Sequence, residues 1–313
     1  MDMAPWTIAD IPSQLGRSAV VTGTGGLGYE TALALARAEA EVILAGRNPE
    51  KGAASLARIR AAVPDANIRF AELDLASLAS VATFARHMAA EHGSLDLLVN
   101  NAGVMMPPRR QITEDGFELQ FGTNYLGHFA LTRHLLPLLR AARAPRVVEV
   151  SSVAHRDAAI RFADLQWERE YRPWPCYGQS KLAMLIFALE LQRRSDAAGW
   201  GLISLAAHPG FARTELIANG PGTGGLLQRV FRPLQPLVSQ SAADGALPIL
   251  FAATSPGAVG GGYYGPSGFR ELKGRVSPAR IMPQARDRAA AERLWQLSEQ
   301  LTGVTFPAHP APR

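Results

Sequence analysis

Apolar segments of strand length alternate with amphipathic segments of helix length, and a cluster of glycines sits at the first junction between them. With no linker-like stretch dividing the chain, these observations predict an α/β protein built on one doubly wound parallel sheet. The 313 residues suffice for one large domain or two small ones, and the missing linker selects one. The net charge of +5 comes from scattered arginines with no run of five like charges, which excludes the usual nucleic-acid-binding pattern. No apolar stretch is long enough to span a membrane, and residues 1–18 carry two aspartates and no leader-like apolar core, so a soluble, cytoplasmic protein is expected. Cys176, the single cysteine, excludes an internal disulfide and reads as a packing residue. The seven histidines show no zinc-type spacing, so no metal is expected.

The first strand is Ser18–Thr22, followed at once by Gly23, Gly25, Gly26 and Gly28 and then by helical periodicity in Ala32, Leu33, Leu35 and Ala36. Strand, glycine turn and helix together make Gly23-x-Gly25-x-x-Gly28 a dinucleotide fingerprint, in which missing side chains let the backbone approach a pyrophosphate at a helix N-terminus. The next strand, residues 41–45, runs into Gly46-Arg47-Asn48. An acid that would hold the ribose 2′-hydroxyl is absent there, and Arg47 stands where a 2′-phosphate would lie, so NADP(H) is favoured and NAD(H) remains possible.

A helix at 49–62 leads to a strand at 68–73 ending in Asp74, and a helix at 78–92 leads to a strand at 95–99 ending in Asn100-Asn101-Ala102-Gly103. Asp74 and Asn101 thus fall at carboxyl ends of strands, where the ligand crevice of such a sheet opens. A long helix is predicted over 114–142. Asn124, between Gly122 and Gly127, marks a place where it bends or holds water. The strand 146–150 ends in Ser151-Ser152, placing a hydroxyl at the crevice. Farther on, 242–253 reads as a helix, 262–264 as a last strand, and 285–301 as a closing helix with a buried stripe of Ala290, Leu294, Leu297 and Leu301.

Tyr177 and Lys181 stand four apart at the start of an apolar helical run, on one face. An unperturbed phenol titrates near ~10, too high for easy proton exchange at neutrality. A neighbouring ammonium is expected to lower it and make Tyr177 a usable general acid or base.

In this order, Thr22 to Gly28, Asp74-Leu75, Asn100-Asn101-Ala102-Gly103, Asn124, Ser152, Tyr177-x-x-x-Lys181 and Pro209-Gly210-x-x-x-Thr214 resemble the short-chain dehydrogenase/reductase family, from about residue 16 to 302. Asn100 to Phe129, Val153-Ala-His155, Trp174 to Leu182 and His208 to Thr214 resemble its retinol-dehydrogenase-like branch. The resemblance implies a Rossmann-like sheet of about seven parallel strands. It also implies a cofactor site of Gly23, Gly25, Gly26, Leu27, Gly28, Arg47, Asn48, Asp74, Leu75, Asn101, Ala102, Gly103, Tyr177, Lys181, Pro209, Gly210 and Thr214. Lys181 would bond the nicotinamide ribose and lower the Tyr177 pKa, Ser152 would bond the substrate oxygen, and Asn124 would hold a water linking Lys181 to solvent. Tyr177 would deliver the proton to an alkoxide. His155 and His208 read as structural. One departure stands out: only Thr24 and Gly25 separate Thr22-Gly23 from Gly26-Leu27-Gly28, one residue fewer than is usual. Either the loop repacks as a plain dinucleotide turn or cofactor affinity is reduced.

The whole chain, 1–313, is thus read as one domain with an N-terminal extension (1–16), a substrate loop (153–174), a lid after the sixth strand (216–239) and a tail (303–313). Ile160, Phe162, Leu165, Trp167, Tyr171 and Trp174 are candidate substrate walls. Glycines at 220–225 before an apolar helix carrying Leu227, Val230, Phe231, Leu234 and Val238 predict the lid. The expected substrate is a bulky hydrophobic ketone, aldehyde or secondary alcohol. Competing readings of the lid are an oligomer contact and a membrane-surface helix rimmed by Arg229 and Arg232. Homo-oligomer formation is possible through the helices after Glu114 and Cys176, unless the tail masks them. The alternatives for the whole chain are a non-catalytic NADP(H) sensor and a dehydratase or epimerase using the same tyrosine.

Overall fold

The computed structural model describes residues 5–212 and 239–307. Eight strands form one sheet: β1 Ser18–Thr22, β2 Glu41–Gly46, β3 Ile68–Glu72, β4 Leu97–Asn100, β5 Arg146–Val150, β6 Ile203–Ala207, β7 Tyr263–Pro266 and β8 Val276–Pro278. Their spatial order is β3-β2-β1-β4-β5-β6-β7-β8. The first seven are parallel, as expected. The eighth, too short and polar to stand out in sequence, adds antiparallel to β7. The winding direction reverses between β1 and β4, which opens a crevice at their carboxyl ends.

Helices α1 (Gly26–Arg37), α2 (Pro49–Ala62) and α6 (Ala242–Thr254) cover one face of the sheet. The other face is covered by α3 (Leu78–Glu91), α4 (Gly127–Ala141) and α5 (Pro173–Ala198). The central strands are therefore buried on both sides and read as nearly continuous apolar runs. Pro173 at the first position pre-sets α5, and Gly199, in the left-handed conformation at φ 63°, ends it. Among the described residues no helix is long and apolar enough to cross a membrane.

Three expectations are corrected. The long helix does not begin at residue 114: Gly116 turns the chain at φ 84°, and the buried Glu118 carboxylate accepts the amides of Gln120 and Phe121, so regular structure starts just beyond it. It continues as a π-helical turn, Phe121–Leu126, before α4, so the irregularity expected around Asn124 is present. The last helix, α7 (Arg288–Thr302), starts later than expected because Pro283–Ala285 forms a separate short turn. Its buried face is Ala291, Leu294, Trp295, Ser298 and Thr302, since Trp295 and not Leu297 reaches the core.

That face lies on the outer side of α4 and α5. Phe129 packs against Phe187, Trp295 and Phe306 at 5.1–5.3 Å between ring centroids, and Tyr125 bonds Ser298 at 2.7 Å. Each such ring pair contributes about 0.5–1.5 kcal/mol beyond area burial. The helical surface that the sequence left open for subunit pairing is thus covered, in this part, by the chain's own closing segment.

Candidate active site

On the cofactor side of the crevice, backbone shape dominates. Gly25 precedes α1 without a side-chain cap, so the first amides of the helix face the opening. Gly23 has φ 93°, and a Cβ on Gly28 would lie 2.0 Å from the Gly23 carbonyl oxygen. The shortened loop is thus tightly packed, with no room for a side chain at Gly28. Gly26 begins the helix, and Leu27 packs toward Gly245 of α6.

The polar side chains around this turn brace it. Thr22 Oγ1 accepts the amides of Asn101 and Ala102, both at 2.9 Å, and lies 2.9 Å from His128 Nε2. Asn101 Nδ2 donates to the Thr22 carbonyl at 2.7 Å. Asn48 caps α2 by accepting from Lys51, and Asp74 accepts from Ala76 at 2.9 Å beside the buried Leu75. Arg47 is exposed at the end of β2, with no hydrogen bond or ion pair among the described residues. A cradle of glycines, an uncapped helix start and a free guanidinium fit a phosphorylated dinucleotide.

At the far rim, His208 bonds the Gly210 amide through Nδ1 and Glu271 through Nε2, and Pro209 accepts from Gln240. Gly210 is left-handed at φ 62°. The expectation that His208 is structural fits this bracing. Thr214, the lid and its two arginines lie outside the described residues.

On the catalytic side, the end of β5 is stitched to α5. Ser151 Oγ donates to the Lys181 carbonyl at 2.7 Å, and Lys181 Nζ donates to the Val150 carbonyl at 2.9 Å. Ser152 begins a short turn, where its hydroxyl accepts the Ala154 amide, and it draws the Tyr177 pKa down against burial. His155 Nδ1 lies 2.6 Å from the Ser152 carbonyl and fixes that turn. Gly103 lies beside both Asn124 and Lys181: a Cβ there would be 3.7 Å from Nζ. Three residues far apart in sequence therefore meet at the mouth of the sheet.

The titration differs from the expectation. Burial pushes Tyr177 up to about 12, with Ser152 opposing, and Lys181 does not lower it. The ammonium is turned toward the strand carbonyl, 5.9 Å from the Tyr177 ring centroid, and burial lowers its own pKa to about 8. Asn124 is also more heavily engaged than expected. Its side chain bonds Val104 twice and Ser180 once, and its carbonyl lies 2.7 Å from His128 Nδ1.

Of the expected substrate walls, Trp174 alone touches Tyr177, its ring 5.9 Å away and half exposed. Trp167 is buried under Arg161, Phe162 lies under Arg293, Tyr171 bonds Pro107 and Gln120, and Ile160 and Leu165 pack on the core. The 153–174 segment thus braces itself more than it lines the cleft. Cys176 is buried with its thiol pushed up by burial, consistent with packing.

A family model for short chain dehydrogenases matches residues 17–221. The chain belongs to the short-chain dehydrogenase/reductase family. Within that family it falls in the retinol-dehydrogenase-like branch. It is 43% identical to mouse polyprenol dehydrogenase over 94% of this chain and 86% of that protein, and 40% identical to human retinol dehydrogenase 13 over 95% and 89%. A crystal structure of a Mycobacterium paratuberculosis protein superposes with a TM-score of 0.80 at 41% identity, covering 97% of this chain and all of that one. The Pseudomonas aeruginosa RhlG/NADP complex gives 0.63 at 25% identity, over 80% and 94%. As a short-chain dehydrogenase/reductase, the protein is an oxidoreductase acting on a small molecule.

Proposed function

We propose that the protein transfers hydride between NADP(H) and a bulky hydrophobic ketone, aldehyde or secondary alcohol, with Tyr177 as general acid and base. The observation that carries this reading is the buried Tyr177 phenol at the mouth of the sheet, its pKa drawn down by Ser152, one helical turn from Lys181, whose ammonium lies beside Gly103. The nicotinamide supplies the hydride. Ser152 orients the substrate oxygen toward the phenol, and Tyr177 gives its proton as negative charge develops there. A phenol held near 12 is protonated at neutrality, as an acid for carbonyl reduction must be. In the oxidative direction it must first lose that proton. Asn124 holds the Val104 backbone and the start of α5 in register behind the pair.

The exposed Arg47 and the lack of an acid at the end of β2 support NADP(H). Hydrophobic substrates are supported by Trp174 beside Tyr177 and by the names of two relatives, which act on polyprenol and retinol. Gly23 to Gly28, Asp74 to Leu75, Asn101 to Gly103 and Pro209 to Gly210 form the cofactor side in this reading.

Nicotinamide absorbance followed against a panel of ketones and alcohols, with NADPH and with NADH, tests the proposal. Turnover of bulky apolar carbonyls with NADPH preferred is the expected result. Activity confined to small polar ketones or sugars overturns the substrate class, a clear NADH preference overturns the role of Arg47, and product formed without net nicotinamide consumption points to a dehydratase or epimerase.

A further inference from the structure

The loop between β7 and β8 holds a conformation that its side chains disfavour. Arg270 and Glu271 are consecutive non-glycine residues in the left-handed region, at φ 51° and φ 54°, and such a pair persists only where its surroundings impose it. The loop closes on itself through backbone bonds from Ser267 to Arg275 and from Gly268 to Lys273, at 2.7 and 3.0 Å. It leaves the carboxyl end of β7, which runs parallel to β6, so it lies on the crevice side of the sheet.

One carboxylate holds it there. Glu271 Oε2 accepts from the Arg156 guanidinium at 2.6 Å and from His208 Nε2 at 2.9 Å, and Oε1 accepts the Arg280 amide at 3.1 Å. The direction of the histidine bond is fixed by its other nitrogen. The Gly210 amide donates to His208 Nδ1 at 3.1 Å, so Nδ1 is an acceptor and the ring proton stands on Nε2, facing Glu271. His208 is fully buried, in a socket so close that a Cβ on Gly265 would lie 2.1 Å from Nε2, and burial keeps its pKa below the usual value and the ring neutral at pH 7. Burial works against the charge of Glu271 as well, but the His208 and Arg280 hydrogen bonds and the nearby Arg156 outweigh it and hold the acid below the usual carboxylate range.

Each arm of this clamp ends at a different rim of the crevice. Arg156 follows directly on the turn Val153–His155 that Ser152 opens, and its guanidinium also donates to the Arg270 carbonyl at 2.9 Å. His208 leads into Pro209 and Gly210, after which the Phe211 amide bonds the Leu272 carbonyl at 2.7 Å. Between the arms lies the buried Tyr263 ring, 5.4 Å from the His155 ring and 5.2 Å from that of His208.

We propose that Glu271 is a positioning residue of the active site, a single carboxylate that sets the turn carrying Ser152 against the Pro209-Gly210 turn across the crevice. The inference rests on the reading of Ser152, Tyr177 and the cofactor rim given above. A group that only stabilised the fold would leave the constants of the folded enzyme alone. Glu271 acts on both rims, so its loss reaches cofactor binding and turnover together.

Glu271→Gln keeps the size of the side chain but removes its charge, and its amide NH2 meets Arg156 and His208, which are both donors. In the folded variant the NADPH dissociation constant, read by fluorescence titration, should rise about tenfold, and single-turnover ketone reduction should slow about tenfold, since charge-assisted bonds are lost at each arm. The arms separate in single variants: Arg156→Gln should slow turnover more than it weakens NADPH, and His208→Gln should do the reverse. A Glu271→Gln protein that is folded at the assay temperature by circular dichroism and keeps both constants within about twofold of the parent overturns the inference. If that variant does not fold, the two single-arm variants decide, and unchanged constants in both, or the reverse assignment of the arms, overturn it equally. Imidazole 15N spectra of the full chain, with His208→Gln marking the His208 signals, should show the proton on Nε2; a proton on Nδ1 breaks the clamp and overturns the inference. Tyr177→Phe, assayed alongside, reports on the catalytic reading by itself: retained turnover would defeat that reading, whereas NADPH binding and the His208 spectrum answer for Glu271 without any turnover.

Discussion

Around the glycine turn, polar side chains bond to nearby backbone: Asn48 to Lys51, Asp74 to Ala76, Asn101 to Thr22. Around Tyr177 the bonds tie α5 to its neighbours, from Ser151 after β5 to the Lys181 carbonyl, from Lys181 back to Val150, and from Asn124 to Ser180. The first wall uses side chains to shape a backbone that meets the ligand. The second uses the fold to remove titratable heads from water, and there a residue's chemistry depends on burial as much as on its immediate neighbours. Binding should therefore be sensitive to added atoms on one wall, and turnover to removed polar groups on the other.

That contrast can be broken or sharpened by substitution. Ser152→Ala removes the hydroxyl that acts on Tyr177, and kcat should fall on the order of a hundredfold or more with NADPH affinity unchanged, as steady-state assays and fluorescence titration will show. Gly28→Ala should act on the other quantity. Its Cβ meets the Gly23 carbonyl oxygen at 2.0 Å and Asn101 Nδ2 at 2.8 Å, so NADPH affinity should drop roughly a hundredfold, equivalent to about 2.7 kcal/mol. If Gly28→Ala instead lowered kcat at saturating cofactor, the division between the walls would be wrong. Arg47→Ala should weaken NADPH about tenfold and leave NADH unaffected, since one charge-assisted phosphate contact is lost. Smallest of all, Asn48→Ala removes the α2 cap and should lower stability by about 1 kcal/mol in a denaturant melt, with kcat untouched.

The same contrast explains what could be read from the chain. The glycine turn, α2 and the alternation of strands and helices follow from spacing and periodicity, which are properties of sequence, and Ser18–Thr22 and Pro49–Ala62 appear where predicted. Where the long helix starts and which face of α7 is buried were not legible. Glu118, accepting the Gln120 and Phe121 amides just ahead of it, sets where regular structure begins, and Trp295 takes the place of Leu297 on the buried face of α7. Tyr177, Ser152 and Lys181 were legible as a set, but the acidity of the phenol was not, because depth of burial outweighs a nearby ammonium that turns toward a strand carbonyl. His128 and the Thr22 hydroxyl, which lock the glycine turn to Asn101 and Ala102, left no periodic signal.

The phenol's role can be tested most directly by replacing Tyr177 with phenylalanine, which keeps the ring against Trp174 and removes only the hydroxyl. Single-turnover oxidation of bound NADPH by a hydrophobic ketone should slow on the order of a thousandfold, while the NADPH dissociation constant stays within about threefold of the parent. A variant that oxidises NADPH at close to the parental rate would show that the proton comes from elsewhere.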